Sequence, residues 1–155
     1  MLERMDGFTL FEMLMVLVIL AIITQSALVG LPELKRSMER NAARQQVEFD
    51  LQRARNEALA AGSRAIFTVS ATGTSYTVGI DEYPFSSTGV PDSTLFSKEL
   101  PTNITLSTSA LVIFNSGGYV VDTAGNVASS TVSLSDDEGD ILTATLYPIG
   151  SLEYQ

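Results

Sequence analysis

Three patterns of apolar and polar residues follow one another along the chain. Residues 13–23 form an unbroken run of eleven apolar residues. From Glu33 to Ala61, apolar residues recur at spacings of three and four, which is typical of an amphipathic helix. After Gly62 they alternate with polar residues, which is typical of strands with one buried face. This order predicts one long helix followed by a β-rich domain.

The long helix is predicted to run from Phe8 to Gly62. Its later part is rich in Ala, Leu, Glu, Arg and Gln and has no Pro or Gly between Glu33 and Ala61. Its 55 residues would extend roughly 80 Å, far more than a bilayer needs. The apolar run continues with interruptions to Leu31, close to the ~20 residues of a membrane span. We therefore expect a membrane anchor over residues 8–31 and a stem outside the membrane over residues 32–62.

Polar and helix-weakening residues interrupt the anchor. Thr24-Gln25-Ser26 follows the apolar run, and Gly30 and Pro32 come soon after it. Gly and Pro weaken a helix. Polar groups inside a membrane commonly form hydrogen bonds with neighbouring helices. We expect local unwinding here, with an imperfect but continuous anchor as the alternative.

The stem has two kinds of surface. One face carries small and aliphatic residues suited to packing on a sheet: Ala43, Val47, Leu51, Ala54, Ala58 and Ala61. Lower on the stem this side is basic, with Arg36, Arg40 and Arg44, and the nearly opposite side is apolar, with Leu34, Met38 and Ala42. We expect the upper half to be buried within the chain and the lower half to contact neighbouring molecules, with a solvated lower half as the alternative.

The domain after Gly62 is predicted to be all β. Apolar residues alternate on both sides of Thr72-Gly73-Thr74-Ser75, which indicates a hairpin. Further strands are predicted near residues 95–98, 104–106, 111–114, 119–121, 132–134 and 141–147. The predicted fold class is therefore α+β: one long N-terminal helix packed on an antiparallel β-sheet head over residues 63–155.

Composition argues against an enzyme. The chain has no Cys and no His, which excludes disulfides, thiol nucleophiles, histidine acid-base chemistry and metal sites with those ligands. Its only lysines are Lys35 and Lys98. A Ser-Lys dyad is about the only familiar nucleophile that these residues allow, and Lys98 lies in no recognisable motif. We expect no catalytic activity and no cofactor.

The head is acidic. The net charge is −9, and beyond Arg64 there are ten acidic residues against the single Lys98. Such a surface repels phosphate backbones, so nucleic acid is not an expected partner. The densest acidic cluster is Asp136, Asp137, Glu138 and Asp140. Oxygen-rich loops suit calcium, but the spacing does not match an EF-hand, so we expect a solvated turn and no metal site, with calcium binding as the alternative.

The start of the apolar helix carries a resemblance to a known family. Gly7-Phe8-Thr9-Leu10-Phe11-Glu12 resembles the leader junction of type IV pilins and pseudopilins. The resemblance implies that residues 1–7 are a leader, that prepilin peptidase cleaves between Gly7 and Phe8, and that Phe8 is N-methylated. It also implies that Glu12 acts in filament assembly. A carboxylate is costly in lipid, and its natural partner is the amine of a neighbouring subunit's Phe8; a carboxylate that reaches the headgroups is the alternative.

Three later segments narrow the resemblance. Gln52-Arg53-Ala54-Arg55-Asn56-Glu57-Ala58 looks like the "ARxEA" segment of H-type pseudopilins, and Ile113–Gly118 resembles their F-x-x-G strand and turn. With the strand and turn at Leu146–Ser151, these segments point to the GspH/FimT type of minor subunit. The alternative is that they are core aromatic residues followed by turn glycines.

The resemblance implies a function, a location and a set of partners. The expected function is a minor pseudopilin near the tip of a type II secretion filament, with a single span in the bacterial inner membrane and the head in the periplasm. Expected partners are other pilin or pseudopilin subunits, prepilin peptidase and the inner-membrane assembly platform. The alternative is a minor pilin that primes a type IV pilus, in one version linked to DNA uptake.

Overall fold

The protein contains one long helix, α1, Leu10–Ala61. The computed structural model describes residues 9–154; for residues 26–30, 152 and 154 it describes the backbone alone. The chain divides into two units, one up to Met38 and one from Glu39 onward, and each is described by itself. α1 continues through Pro32, so the local unwinding expected there is wrong for this structure. A proline removes a single backbone donor, and the hydrogen bonds on either side of it can maintain the helix.

The first unit is a single exposed helix. Every described residue from Thr9 to Gln25 is exposed, including Leu10 at 86% and Phe11 at 70%. Leu34 and Met38, on the predicted apolar side of the lower stem, are exposed as well. This unit therefore presents apolar side chains outward, as a helix made to contact lipid or other chains would.

Among the residues whose placement is described, no helix has the length and hydropathy that crossing a membrane requires.

Within residues 9–154, nine strands follow the helix in the second unit. They are β1 Arg64–Val69, β2 Ser75–Asp81, β3 Ser93–Glu99, β4 Thr105–Thr108, β5 Val112–Phe114, β6 Val120–Val121, β7 Ser130–Asp136, β8 Gly139–Leu146 and β9 Leu152–Tyr154. A five-stranded sheet has the order β3-β2-β1-β5-β6, and a four-stranded sheet has the order β4-β7-β8-β9. All pairings are antiparallel. The predicted α+β class is confirmed, but the head has two sheets and a strand, β9, that the alternation pattern did not predict.

The second half of α1 packs on these sheets. Its buried face carries Ala43, Val47, Leu51, Ala54 and Ala58, which join one core with apolar residues of both sheets. Phe67 of β1 and Tyr76 of β2 stack in this core with ring centroids 4.9 Å apart. The predicted sheet-facing stripe is confirmed over these five residues and wrong for Ala61, which is exposed. Ala61 is the last helical residue, and the chain turns away at Gly62, where φ is 63°.

Candidate filament-assembly site

The first turn of α1 is capped by its own sequence. The Thr9 hydroxyl accepts a hydrogen bond from the backbone N–H of Glu12 at 3.2 Å. Thr9 and Glu12 therefore have the spacing of a capping box, with Thr9 at the N-cap and Glu12 three residues later. The partial positive charge of a helix N-terminus also favours a carboxylate at this position.

The charge of Glu12 is not neutralised by an ion pair within the described residues. Glu12 is exposed, and no Arg or Lys between residues 9 and 154 pairs with it. Gly7 and Phe8, the predicted cleavage and methylation residues, lie outside the described residues. The pairing of Glu12 with a neighbouring subunit's Phe8 stays a prediction.

Arg40 joins α1 to the turn between β7 and β8. Its Nε lies 2.8 Å from Asp136 Oδ2, its Nη2 donates to Asp136 Oδ1 at 2.9 Å, and its Nη1 donates to Glu138 Oε2 at 2.9 Å. The Asp136 side chain is only 2% exposed, and its Oδ1 also accepts the backbone N–H of Glu138 at 2.9 Å. Two-point contact between a guanidinium and a buried carboxylate is a strong and specific pairing. Arg40 is thus an anchor of the helix on the head.

The same turn is the calcium candidate of the sequence. The structure gathers Asp136, Asp137, Glu138 and Asp140 in one hairpin turn, where Arg40 supplies the positive charge. Among the described residues, no group of three or more acidic side chains is placed to hold a metal ion.

A buried carboxylate on α1 was missed by the sequence reasoning. Asp50 is 3% exposed and accepts a hydrogen bond from the Tyr76 hydroxyl at 2.6 Å. Burial, and then the hydrogen bond to the Asp50 carboxylate and its charge, raise the pKa of Tyr76 well above the ordinary value of 10.0. Asp50 is three residues after Val47 and four before Ala54, so the spacing of the buried stripe could have revealed it.

The three segments that carried the narrower resemblance meet at one point. Arg55 of the "ARxEA" segment donates from Nε to the carbonyl oxygen of Gly118, at 3.0 Å, in the F-x-x-G turn. Gly150, in the last segment, lies against both, because a Cβ there would overlap the Gly118 carbonyl oxygen. Both glycines have positive φ, 75° and 74°, which side chains rarely allow. The motif residues therefore fix the end of α1 to two turns of the head.

Arginines in the second half of α1 contact other residues of the same chain. Arg44 pairs with Glu48 at 2.8 Å, and Arg53 lies 4.5 Å over the Phe96 ring and 3.6 Å from Glu57. Arg40 lies on the sheet-facing side, as predicted, but its partners are head carboxylates of the same chain and not the neighbouring molecule expected for the lower stem.

Sequence comparison identifies one short family motif. Residues 4–24 match the model of the prokaryotic N-terminal methylation motif. The match covers the predicted cleavage junction, the capped first turn and most of the apolar run. A comparison of the whole sequence with curated proteins found no match.

Solved structures with the same fold include a minor pilin and a minor pseudopilin. The type IV minor pilin FimU of Pseudomonas aeruginosa matches with a TM-score of 0.61 at 14% identity, over 77% of this chain and 90% of FimU. A second crystal form of FimU gives 0.58 at 15% identity, over 74% and 91%. The minor pseudopilin EpsH of the Vibrio cholerae type 2 secretion system gives 0.53 at 14% identity, over 76% and 96%. The predicted pilin-like fold is confirmed by these matches.

Proposed function

We propose that this chain, whose methylation motif and fold support a type IV pilin-like protein of the GspH/FimT type, is a minor subunit of a pilin-like filament. The observation that carries the proposal is the presence of both features in one chain: the motif over residues 4–24 and the pilin-like fold of the head. The relatives with this fold are a minor pilin and a minor pseudopilin rather than enzymes. Assembly, not catalysis, is the activity that we assign.

The proposed N-terminal chemistry follows from the motif. Prepilin peptidase cleaves between Gly7 and Phe8, and the new amine of Phe8 is methylated. Residues 8–31 then anchor the chain in the inner membrane, with residues 32–62 and the head over residues 63–155 in the periplasm. The outward apolar side chains of the first unit support this anchoring role, because they need lipid or other helices to cover them.

The filament that we propose is the pseudopilus of a type II secretion system, with this subunit near its tip. The likeness to EpsH, a minor pseudopilin of such a system, supports this choice. A minor pilin that primes a type IV pilus is the second candidate, because FimU, a type IV minor pilin, has the same fold. Both candidates share the same partners in kind: other pilin-like subunits, prepilin peptidase and an inner-membrane assembly platform.

Copurification from the native host tests the proposal. A tagged chain extracted in mild detergent should carry pseudopilins of a secretion system, identified by mass spectrometry, and its intact mass should correspond to a chain beginning at methylated Phe8. Pilus subunits in their place would favour the second candidate. A chain that begins at Met1 and carries no pilin-like subunit of either kind would contradict the proposed function.

A further inference from the structure

The loop between β2 and β3, residues 82–92, is held by side-chain hydrogen bonds. Asp81 is 1% exposed, and both of its carboxylate oxygens accept the backbone N–H of Ser86, at 3.0 and 3.2 Å. At the other end of the loop, Asp92 Oδ2 accepts the backbone N–H of Glu82 at 2.8 Å. Carboxylates that cap backbone N–H groups in this way fix a loop's conformation. The β2–β3 loop therefore has a fixed conformation and holds its side chains in a defined arrangement.

This loop holds an aromatic side chain in solvent. Tyr83 is 85% exposed and meets Phe85 edge-on, with ring centroids 5.8 Å apart and planes at 87°. The guanidinium of Arg64 lies 4.1 Å from the centroid of the Phe85 ring. Arg64 also donates to the carbonyl oxygen of Thr123 at 3.2 Å, which ties the turn after β6 to the loop. Phe85 is thus supported from within the chain, while Tyr83 is presented outward.

The two ends of the loop that carries Tyr83 are acidic. Glu82 precedes Tyr83, Asp92 bonds to the backbone of Glu82, and both acids are exposed. Asp122 lies in the turn that Arg64 ties to the loop. An aromatic face next to carboxylates attracts a cation and repels anionic partners.

We propose that the β2–β3 loop docks a protein segment that carries arginine, with the guanidinium stacked on Tyr83 and paired with Glu82 or Asp92. A planar guanidinium can stack and form hydrogen bonds at once, which a lysine ammonium cannot do. Arg64 of β1 makes this kind of contact with Phe85 of the same loop. Tyrosine and arginine are also the residues that most often dominate protein interfaces. This recognition goes beyond filament building and does not depend on which filament the subunit joins.

Peptide binding to the full chain in neutral detergent tests the docking site. The probes are fluorescein-labelled peptides of Arg-Gly-Ser, Lys-Gly-Ser and Glu-Gly-Ser repeats, followed by fluorescence anisotropy. The Arg peptide should bind more tightly than the Lys peptide, by at most the roughly two- to fivefold that an exposed cation–π contact contributes. The Glu peptide should not bind. Tyr83→Ser should remove the preference for Arg, and Tyr83→Phe should retain it because the ring remains.

Two controls separate docking from general charge attraction. Glu82→Gln with Asp92→Asn should weaken both cationic peptides, whereas Asp140→Asn in the acidic β7–β8 turn should not. Tyr147→Ser, which removes another exposed ring, should keep the preference for Arg, and unchanged unfolding midpoints would show that the variants fold. Equal affinity for Arg and Lys peptides, or loss of binding in Asp140→Asn alone, would overturn the proposal. Binding to phosphatidylglycerol vesicles that depends on Tyr83 would also overturn it, in favour of a lipid contact.

Discussion

The two halves of α1 differ in residue types and in where their side chains find partners. In the first unit, the apolar side chains from Leu10 to Ile23 face outward, and Glu12 has no ion-pair partner among the described residues. In the second unit, the face from Ala43 to Ala58 is buried in the core, and Arg40 is paired with carboxylates of the same chain. The second half of the helix packs on its own head, whereas the described apolar side chains of the first half are exposed.

The comparison of the two halves predicts what the removal of a charged residue from a pilin-like helix should change. A charge that finds its partner within the chain contributes to folding, and its removal should be detected as lost stability. A charge whose partner belongs to another chain contributes to assembly, and its removal should leave the fold intact. Arg40 and Glu12 are the two test cases.

The largest expected effect on stability is that of Arg40→Ala. The substitution removes the guanidinium that contacts the Asp136 carboxylate, whose side chain is 2% exposed. Arg40 is itself 28% exposed, and Asp136 keeps the backbone N–H groups of Glu138 and Gly139, so the loss should be about 1.5 to 3 kcal/mol, as for hydrogen bonds to charged groups. Urea unfolding of a fragment beginning at Glu33, which we expect to fold because it contains the whole core, should show a loss of this size.

Arg44→Ala is the matched control for Arg40→Ala. Arg44 pairs with Glu48 four residues along the exposed surface of the same helix, with 44% and 25% of the two side chains exposed. Such a pair contributes about 0.3 to 0.5 kcal/mol. If the two arginine variants lose the same stability, Arg40 is not an anchor and the contrast between the halves of α1 is weakened.

A smaller effect is expected at Tyr76, and it depends on pH. The folded state raises the pKa of Tyr76 above 10.0, so the folded protein retains a proton that the unfolded chain releases. Stability from this group is therefore complete below pH 10 and falls as pH rises further, by up to about 1.4 kcal/mol per pH unit. The free energy of unfolding, measured between pH 8 and about pH 12, should show this decline.

Tyr76→Phe sharpens the pH prediction. It removes the hydroxyl that donates to buried Asp50, so it should cost about 1 to 3 kcal/mol at neutral pH. Above pH 10 its stability should fall less steeply than that of the wild type. Tyr147→Phe is the control, because it is chiefly an exposed hydrogen bond to Glu153 and its charge that raise the pKa of Tyr147, so the decline should change much less. Parallel curves for wild type and Tyr76→Phe would contradict this account of the Asp50–Tyr76 pair.

The sequence predicted the elements well where short-range periodicity determines them. Spacings of three and four correctly placed Val47 and Leu51 on the buried face of α1, and alternation located the β1–β2 hairpin. Ala61 has the same spacing but is exposed, because periodicity does not reveal where the helix ends relative to the core. β9 was missed because its pairing with strand β8, and not a local alternation pattern, makes residues 152–154 a strand.

Contacts that join distant parts of the chain were beyond the sequence pattern. Arg40 and Asp136 are 96 residues apart, and only the packing of α1 on the four-stranded sheet brings them together. The division of the strands into two sheets has the same cause, since alternation shows which side of a strand is buried but not which strand lies beside it. The resemblance supplied the segments containing Arg55, Gly118 and Gly150, and the structure supplied their contact.

We propose that the charge of Glu12 is needed for assembly and not for folding. Glu12→Ala and Glu12→Gln should be cleaved and inserted normally, because removing a charge eases entry into the bilayer. Crosslinking to copurified pilin-like subunits in membranes should be lost, since the unpaired amine of the partner would cost about 3 to 5 kcal/mol.

Crosslinking of Glu12→Gln is the most informative measurement, because glutamine lacks the charge of Glu12 but can still complete the capping box with Thr9. We expect the crosslinks of Glu12→Gln to disappear and assembly of Glu12→Lys to be impaired further. Thr9→Ala, which removes the cap and keeps the charge, should still crosslink. If Glu12→Gln crosslinks and supports secretion or piliation like the wild type, the carboxylate merely reaches the headgroups or caps its helix, and the intersubunit charge pair is wrong for this protein.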